Sequence, residues 1–145
     1  MALAVPTVLC IDDRTDSLKI RKLMLETQGY SVLTADDGPS GLRLLSDHPV
    51  DAVILDYKMQ GMDGLAVATA IRARHGNLPI VLLSGYPSEL PKRLLEMVDA
   101  CVTKGQPAQV LLEELRRVSG GAKKPPAQDV ASRTKDYLAK KSGYE

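Results

Sequence analysis

The chain has no tryptophan and no phenylalanine, and five tyrosines are its only aromatics in 145 residues. Any core must therefore be built from Leu, Val, Ile, Met and Ala. Cysteine is scarce too: Cys10 and Cys101 lie far apart in apolar, strand-like runs, without metal-ligand spacing. This excludes a disulfide-stapled secreted domain and a thiolate metal centre, and a reducing cytoplasm is the simplest setting. No apolar run approaches the ~20 residues of a membrane span. The N-terminal run lacks a basic leader and stops at Asp12, too early for a signal peptide. One-sided charge is absent as well. With 19 Lys/Arg, 18 Asp/Glu and a net charge of +1, nothing draws the protein in bulk to nucleic acid or to an acidic membrane.

What is present suits one domain and a short appendage. Residues 1–118 carry 13 Lys/Arg against 15 Asp/Glu, a net −2, whereas residues 119–145 carry six against three, a net +3. That asymmetry marks the last segment as a separate unit. Residues 119–129, rich in Gly, Lys, Pro and Ala, read as a linker. In the tail at 130–145, Val130, Thr134, Tyr137 and Leu138 could form an apolar stripe on a short helix, marginal unless it docks on something. The tail is too short for a helix-turn-helix and lacks interleaved aromatics, so its basic residues read as a solvated face.

Along the body, short apolar runs alternate with helix-period segments. Strands are expected at Val5–Ile11, Ser31–Ala35, Asp51–Leu55, Leu78–Leu83 and Asp99–Thr103. Between them, Thr15–Gln28 should be a helix with Ile20, Leu23, Met24 and Thr27 on one face. The next helix starts near Asp37 with Gly41, Leu44, Leu45 and His48 sharing a face, and Pro49 stops it. Leu65–His75 should turn Val67, Ala70 and Ile71 inward, and Leu90–Met97 and Pro107–Val118 complete the set. Five βα units in series imply a parallel sheet with helices on both faces.

In such sheets the working groups lie just past the carboxyl ends of the strands. Here those ends hold Asp12 and Asp13, Asp56, Ser84 and Lys104. Any one could be an ordinary turn residue; all together in series they form a site. Converging carboxylates repel one another and raise their own pKa values unless a cation joins them. Mg²⁺ prefers oxygen ligands and keeps several waters, so a partial carboxylate cage suits it. An aspartate can attack phosphorus to give an acyl phosphate, and an ammonium and a hydroxyl can neutralise and orient the equatorial oxygens.

The motifs V-L-C-I-D-D (8–13), A-D-D-G-P-S-G-L (35–42), V-D-A-V-I-L-D-Y-K-M-Q-G-M-D-G (50–64), P-I-V-L-L-S-G (79–85) and C-V-T-K (101–104) resemble those of bacterial two-component response-regulator receiver domains. The resemblance covers residues 5–118. It implies a flavodoxin-like α/β sandwich with strand order 2-1-3-4-5, in a stand-alone, single-domain receiver. It makes Asp56 the phosphoacceptor, served by a histidine kinase or histidine phosphotransfer protein. Asp13, Asp56 and the backbone carbonyl of Lys58 would ligate Mg²⁺, and Asp12 would reach it through water. Ser84 and Lys104 would contact the phosphoryl group. Output would pass to a downstream protein, or to a second copy in a homodimer, through the α4–β5–α5 face. The protein would be a signalling module, not an enzyme acting on other substrates.

Three positions depart from the family pattern. Cys101 stands where a switch aromatic is usual, leaving Tyr86 as the alternative coupling residue. Gly105 replaces a common cis-proline, so a trans peptide and a reshaped loop are expected. Gln60 replaces a frequent proline. These departures keep open an alternative, a receiver-like interaction module independent of phosphorylation. An Asp-nucleophile phosphatase of the haloacid-dehalogenase type is disfavoured, because Lys58 stands where that family places its general acid. His48 and His75 fit helix C-termini, where the dipole favours them. A Cys10–Cys101 bridge fails, since three strand spacings, roughly 14 Å, would separate them.

Overall fold

A computed structural model describes residues 5–119. The strands are β1 (Thr7–Ile11), β2 (Ser31–Ala35), β3 (Ala52–Asp56), β4 (Ile80–Ser84) and β5 (Ala100–Thr103). They alternate with α1 (Thr15–Thr27), α2 (Gly38–Asp47), α3 (Gly64–Arg74), α4 (Lys92–Met97) and α5 (Ala108–Ser119). All pairings are parallel, in the order β2-β1-β3-β4-β5. The α/β sandwich expected from the motifs is therefore the one observed.

β3 and β4 are buried at every position, as central strands covered on both faces must be. Alternate residues feed two cores. Leu9, Ile11, Val53, Leu55, Ile80 and Leu82 face α2, α3 and α4. Val8, Cys10, Ile54, Val81, Leu83 and Val102 face α1 and α5. With no Phe or Trp available, branched aliphatics fill both layers.

Helix boundaries follow local chemistry. Asp37 caps α2 by accepting from the Ser40 amide at 2.7 Å, and Asp63 caps α3 by accepting from the Ala66 amide at 3.0 Å. Pro107 lies just ahead of α5 rather than in its first turn. β1 starts at Thr7, two residues later than its apolar run, and β5 at Ala100, because Asp99 turns its carboxylate onto the Ile80 amide at 2.8 Å. Ser119 closes α5 rather than opening a linker; the rest of the expected linker and the 130–145 tail lie outside the described residues.

Of the expected face of α1 only Met24 packs against the core, and Thr27 is exposed. Ile20 and Leu23 are 71% and 65% exposed, whereas Leu18 and Leu25 are buried. Beside Met24, the inward stripe is Leu18, Arg21 and Leu25, whose i, i+3, i+7 spacing carries a charge in the middle. Arg21 fits there because it has an acidic partner at the end of β1. On α2, Gly41 and Leu45 are buried, but His48 is exposed and caps the helix C-terminus. On α3, Ala68 joins Val67 and Ile71 in the core, while Ala70 is only half-buried.

Candidate functional site

The C-terminal ends of β1, β3, β4 and β5 bring Asp12, Asp13, Asp56, Ser84 and Lys104 to one edge of the sheet. Asp12, Asp13 and Asp56 each offer a carboxylate oxygen, all within 4.8 Å of one another. Asp12 and Asp56 are each 1% exposed. The Asp12 carboxylate accepts from the Arg14 amide at 3.0 Å and from Arg21 Nη1 at 3.3 Å. Asp13 accepts from the Gln60 amide at 3.1 Å, a contact that a proline at 60 could not make. Lys104 Nζ reaches Asp56 Oδ1 at 2.5 Å as an ion pair, yet neither Asp56 oxygen has an aligned hydrogen bond among the described residues.

The electrostatics follow from this packing. Burial pushes the Asp56 carboxyl above the ordinary aspartate range. Lys104 pulls it back, and the charges of Asp12 and Asp13 push it up further. Three acids, a buried oxygen lacking a partner and only oxygen donors together fit a hard divalent cation.

Ser84 ends β4, is 5% exposed, and accepts from the Tyr86 amide at 3.1 Å. The Lys104 amide donates to the Ser84 carbonyl at 2.8 Å, which ties the two strand tips together. Lys58 lies in the loop after Asp56. With Tyr57, Ser84 and Tyr86 it lines a cleft of about 270 Å³. Tyr86 itself is 65% exposed. The Asp56 loop is held close by Gly64, whose amide donates to the Tyr57 carbonyl at 2.9 Å. A Cβ on Gly64 would meet Tyr57 Cα at 2.8 Å and the Asp56 carbonyl at 3.2 Å.

The departures take definite shapes. Cys101 packs, half-buried, against the core on the α4 side. Gly105 has φ +90, and there is no cis peptide among the described residues. Both cysteines are free, on strands that are not neighbours, and burial pushes each thiol up to about 12. Sequence reasoning missed Arg21, the Gln60 amide and the Thr103 hydroxyl, which has no hydrogen-bond partner among the described residues. For Arg21 a signal existed: a charge three residues after Leu18 and four before Leu25.

The sequence profile of the response regulator receiver domain matches residues 8–116, three-quarters of the chain. The chain belongs to that family. Its receiver is 36% identical over 119 residues to the sensor histidine kinase GacS of Pseudomonas protegens, covering 74% of this chain and 13% of that protein. It is 39% identical over 83 residues to the transcriptional regulatory protein PrrA of Mycobacterium tuberculosis, covering 57% of this chain and 36% of the other. The chain thus spans well under two thirds of these relatives. Among solved structures, the response regulator TrrA of Thermotoga maritima, in complex with Mg²⁺ and BeF, superposes with a TM-score of 0.72 at 30% identity, covering 79% of this chain and 99% of that one. The receiver domain of NtrX from Brucella abortus gives 0.74 at 28% identity, with the same coverages. No helix among the described residues is long and apolar enough to cross a membrane.

Proposed function

We propose that this receiver is a phosphorylation-controlled switch, in which Asp56 accepts a phosphoryl group from the histidine of a kinase or phosphotransfer protein. The observation that carries this reading is the convergence of three carboxylates with the Lys104 ammonium set against Asp56. A carboxylate oxygen of Asp56 attacks phosphorus, the P–N bond to the donor imidazole breaks, and its electron pair leaves with the nitrogen. An aspartyl phosphate results.

Asp13, Asp56 and the Lys58 carbonyl would hold Mg²⁺ directly, with Asp12 acting through water, as in the family. The TrrA complex with Mg²⁺ and BeF supports this by analogy. When bound, the ion neutralises the carboxylates and the phosphoryl oxygens. Arg21 aims the Asp12 carboxylate, and the Gln60 amide does the same for Asp13. Lys104 moves from Asp56 to a phosphoryl oxygen. Ser84 turns its hydroxyl from the Tyr86 amide to another. These movements shift a two-state equilibrium, read at the α4–β5–α5 face by a downstream protein or a second copy. A cytoplasmic setting follows from the donor.

Incubation with acetyl phosphate and Mg²⁺ tests this by intact mass. The wild type should gain one phosphoryl group, while Asp56→Asn and wild type in excess chelator should gain none. Equal labelling of the Asn variant, or no labelling of the wild type, refutes the reading.

A further inference from the structure

Thr103, the last residue of β5, is 3% exposed, and its Oγ1 has no hydrogen-bond partner among the described residues. Buried hydroxyls are nearly always paired, so an unpaired one calls for a reason. Its register partner across the sheet is Ser84, on a strand about 4.8 Å away. Strand alternation sets Thr103 on the face of Cys101 and Ser84 on the face of Leu82, and both of these pack into the core on the α4 side. Two hydroxyls therefore stand side by side on one face, at the edge that holds Asp56. In this state they are not bonded to each other: Ser84 Oγ accepts from the Tyr86 amide instead. No ring intervenes, because the residue two before Thr103 is Cys101.

We propose that Thr103 is a positioning residue for Ser84. When the Ser84 hydroxyl leaves the Tyr86 amide for the phosphoryl group, Thr103 Oγ1–H donates to Ser84 Oγ in its place. Ser84 then keeps an accepted hydrogen bond while its own proton points to the phosphoryl oxygen. The buried Thr103 hydroxyl gains the partner it lacks. The released Tyr86 amide frees the start of the β4–α4 loop, so the site is coupled to α4 without a switch aromatic. This inference rests on Asp56 being the phosphoacceptor.

The test uses the full chain with Mg²⁺ and beryllofluoride, followed by amide NMR. Thr103→Val, nearly the same shape, should weaken beryllofluoride affinity about fivefold, as expected for one neutral hydrogen bond, and abolish the displacement of the Tyr86 amide signal. Thr103→Ser should restore both, a rescue that a purely packing role would not give. Without ligand, Thr103→Val should melt at a higher temperature than wild type, since an unpaired buried hydroxyl is gone. Wild-type affinity and Tyr86 response in the Val variant, or failure of the Ser variant to rescue, overturn the inference alone. A lower melting temperature for Val also overturns it, because the hydroxyl would then be partnered at rest. A wild type that ignores beryllofluoride overturns the phosphoacceptor reading and this inference with it.

Discussion

Lys104 holds its ammonium 2.5 Å from Oδ1 of Asp56, while Oδ2 of the same carboxylate is buried without a partner among the described residues. Two cations, Lys104 on Asp56 and Arg21 on Asp12, face three acids, two of them buried. The resting site is therefore under-neutralised, and that imbalance sets what pH and mutation should do to it.

Replacing Asp56 should stabilise the metal-free protein. Its folded-state pKa is raised by burial. Such an acid contributes stability that is present below its unfolded pKa and lost as pH rises through the folded value. At neutral pH the ionised carboxylate is therefore a net cost. Asp56→Asn should melt several degrees higher at neutral pH, with about 3–5 °C corresponding to 1 kcal/mol in a domain of this size. The gap should narrow as pH falls. Thermal melts across pH in chelator check this, and a gap independent of pH contradicts it.

Gly64→Ala should be costly although the change is one methyl group. The new Cβ meets backbone at 2.8 Å, and backbone cannot rotate aside. Overpacking of this kind costs about 1–3 kcal/mol. The displaced segment carries Asp56, so acetyl phosphate labelling should slow by more than the loss of folded protein explains. Melts and labelling rates on one preparation separate the two effects.

Gly105→Pro should destabilise, although proline is the family's common residue there. Proline locks φ near −65°, whereas Gly105 sits at +90. The loop must rebuild, at a cost of about 1–3 kcal/mol. Denaturant unfolding measures it, and a neutral or stabilising result contradicts the positive-φ loop.

Arg72 ties three elements together. Its guanidinium reaches the Met97 carbonyl at 2.6 Å, the Leu78 carbonyl at 2.6 Å and the Asp99 carboxylate at 2.9 Å. Asp99 is 2% exposed. Arg72→Ala takes that cation from a buried acid and should cost about 3–5 kcal/mol. Arg72→Lys should recover only part, because a point charge cannot span several acceptors. Chemical denaturation of the two variants checks the order.

The strands and the position of the site could be read from the chain because four of the five strands are short apolar runs ending in polar functional groups, whereas the strand order followed from the resemblance to receiver domains. α1 could not be read this way. Its most apolar-looking positions, Ile20 and Leu23, face outward, and Arg21 takes the inward place because Asp12 waits for it. Periodicity scores residue type and is blind to a charge that brings its own counter-charge. The Gln60–Asp13 contact was hidden for another reason: a backbone amide carries no signature in a side-chain alphabet. That Thr103 Oγ1 has no partner among the described residues is a property of three-dimensional neighbours alone.

Both thiols are pushed up to about 12 by burial. Near neutrality scarcely any of either sulfur is in its nucleophilic form, so peroxides and mixed disulfides find little to react with. Cys101 thus takes the place of an aromatic on β5 with a thiol that burial holds in its protonated, weakly reactive form.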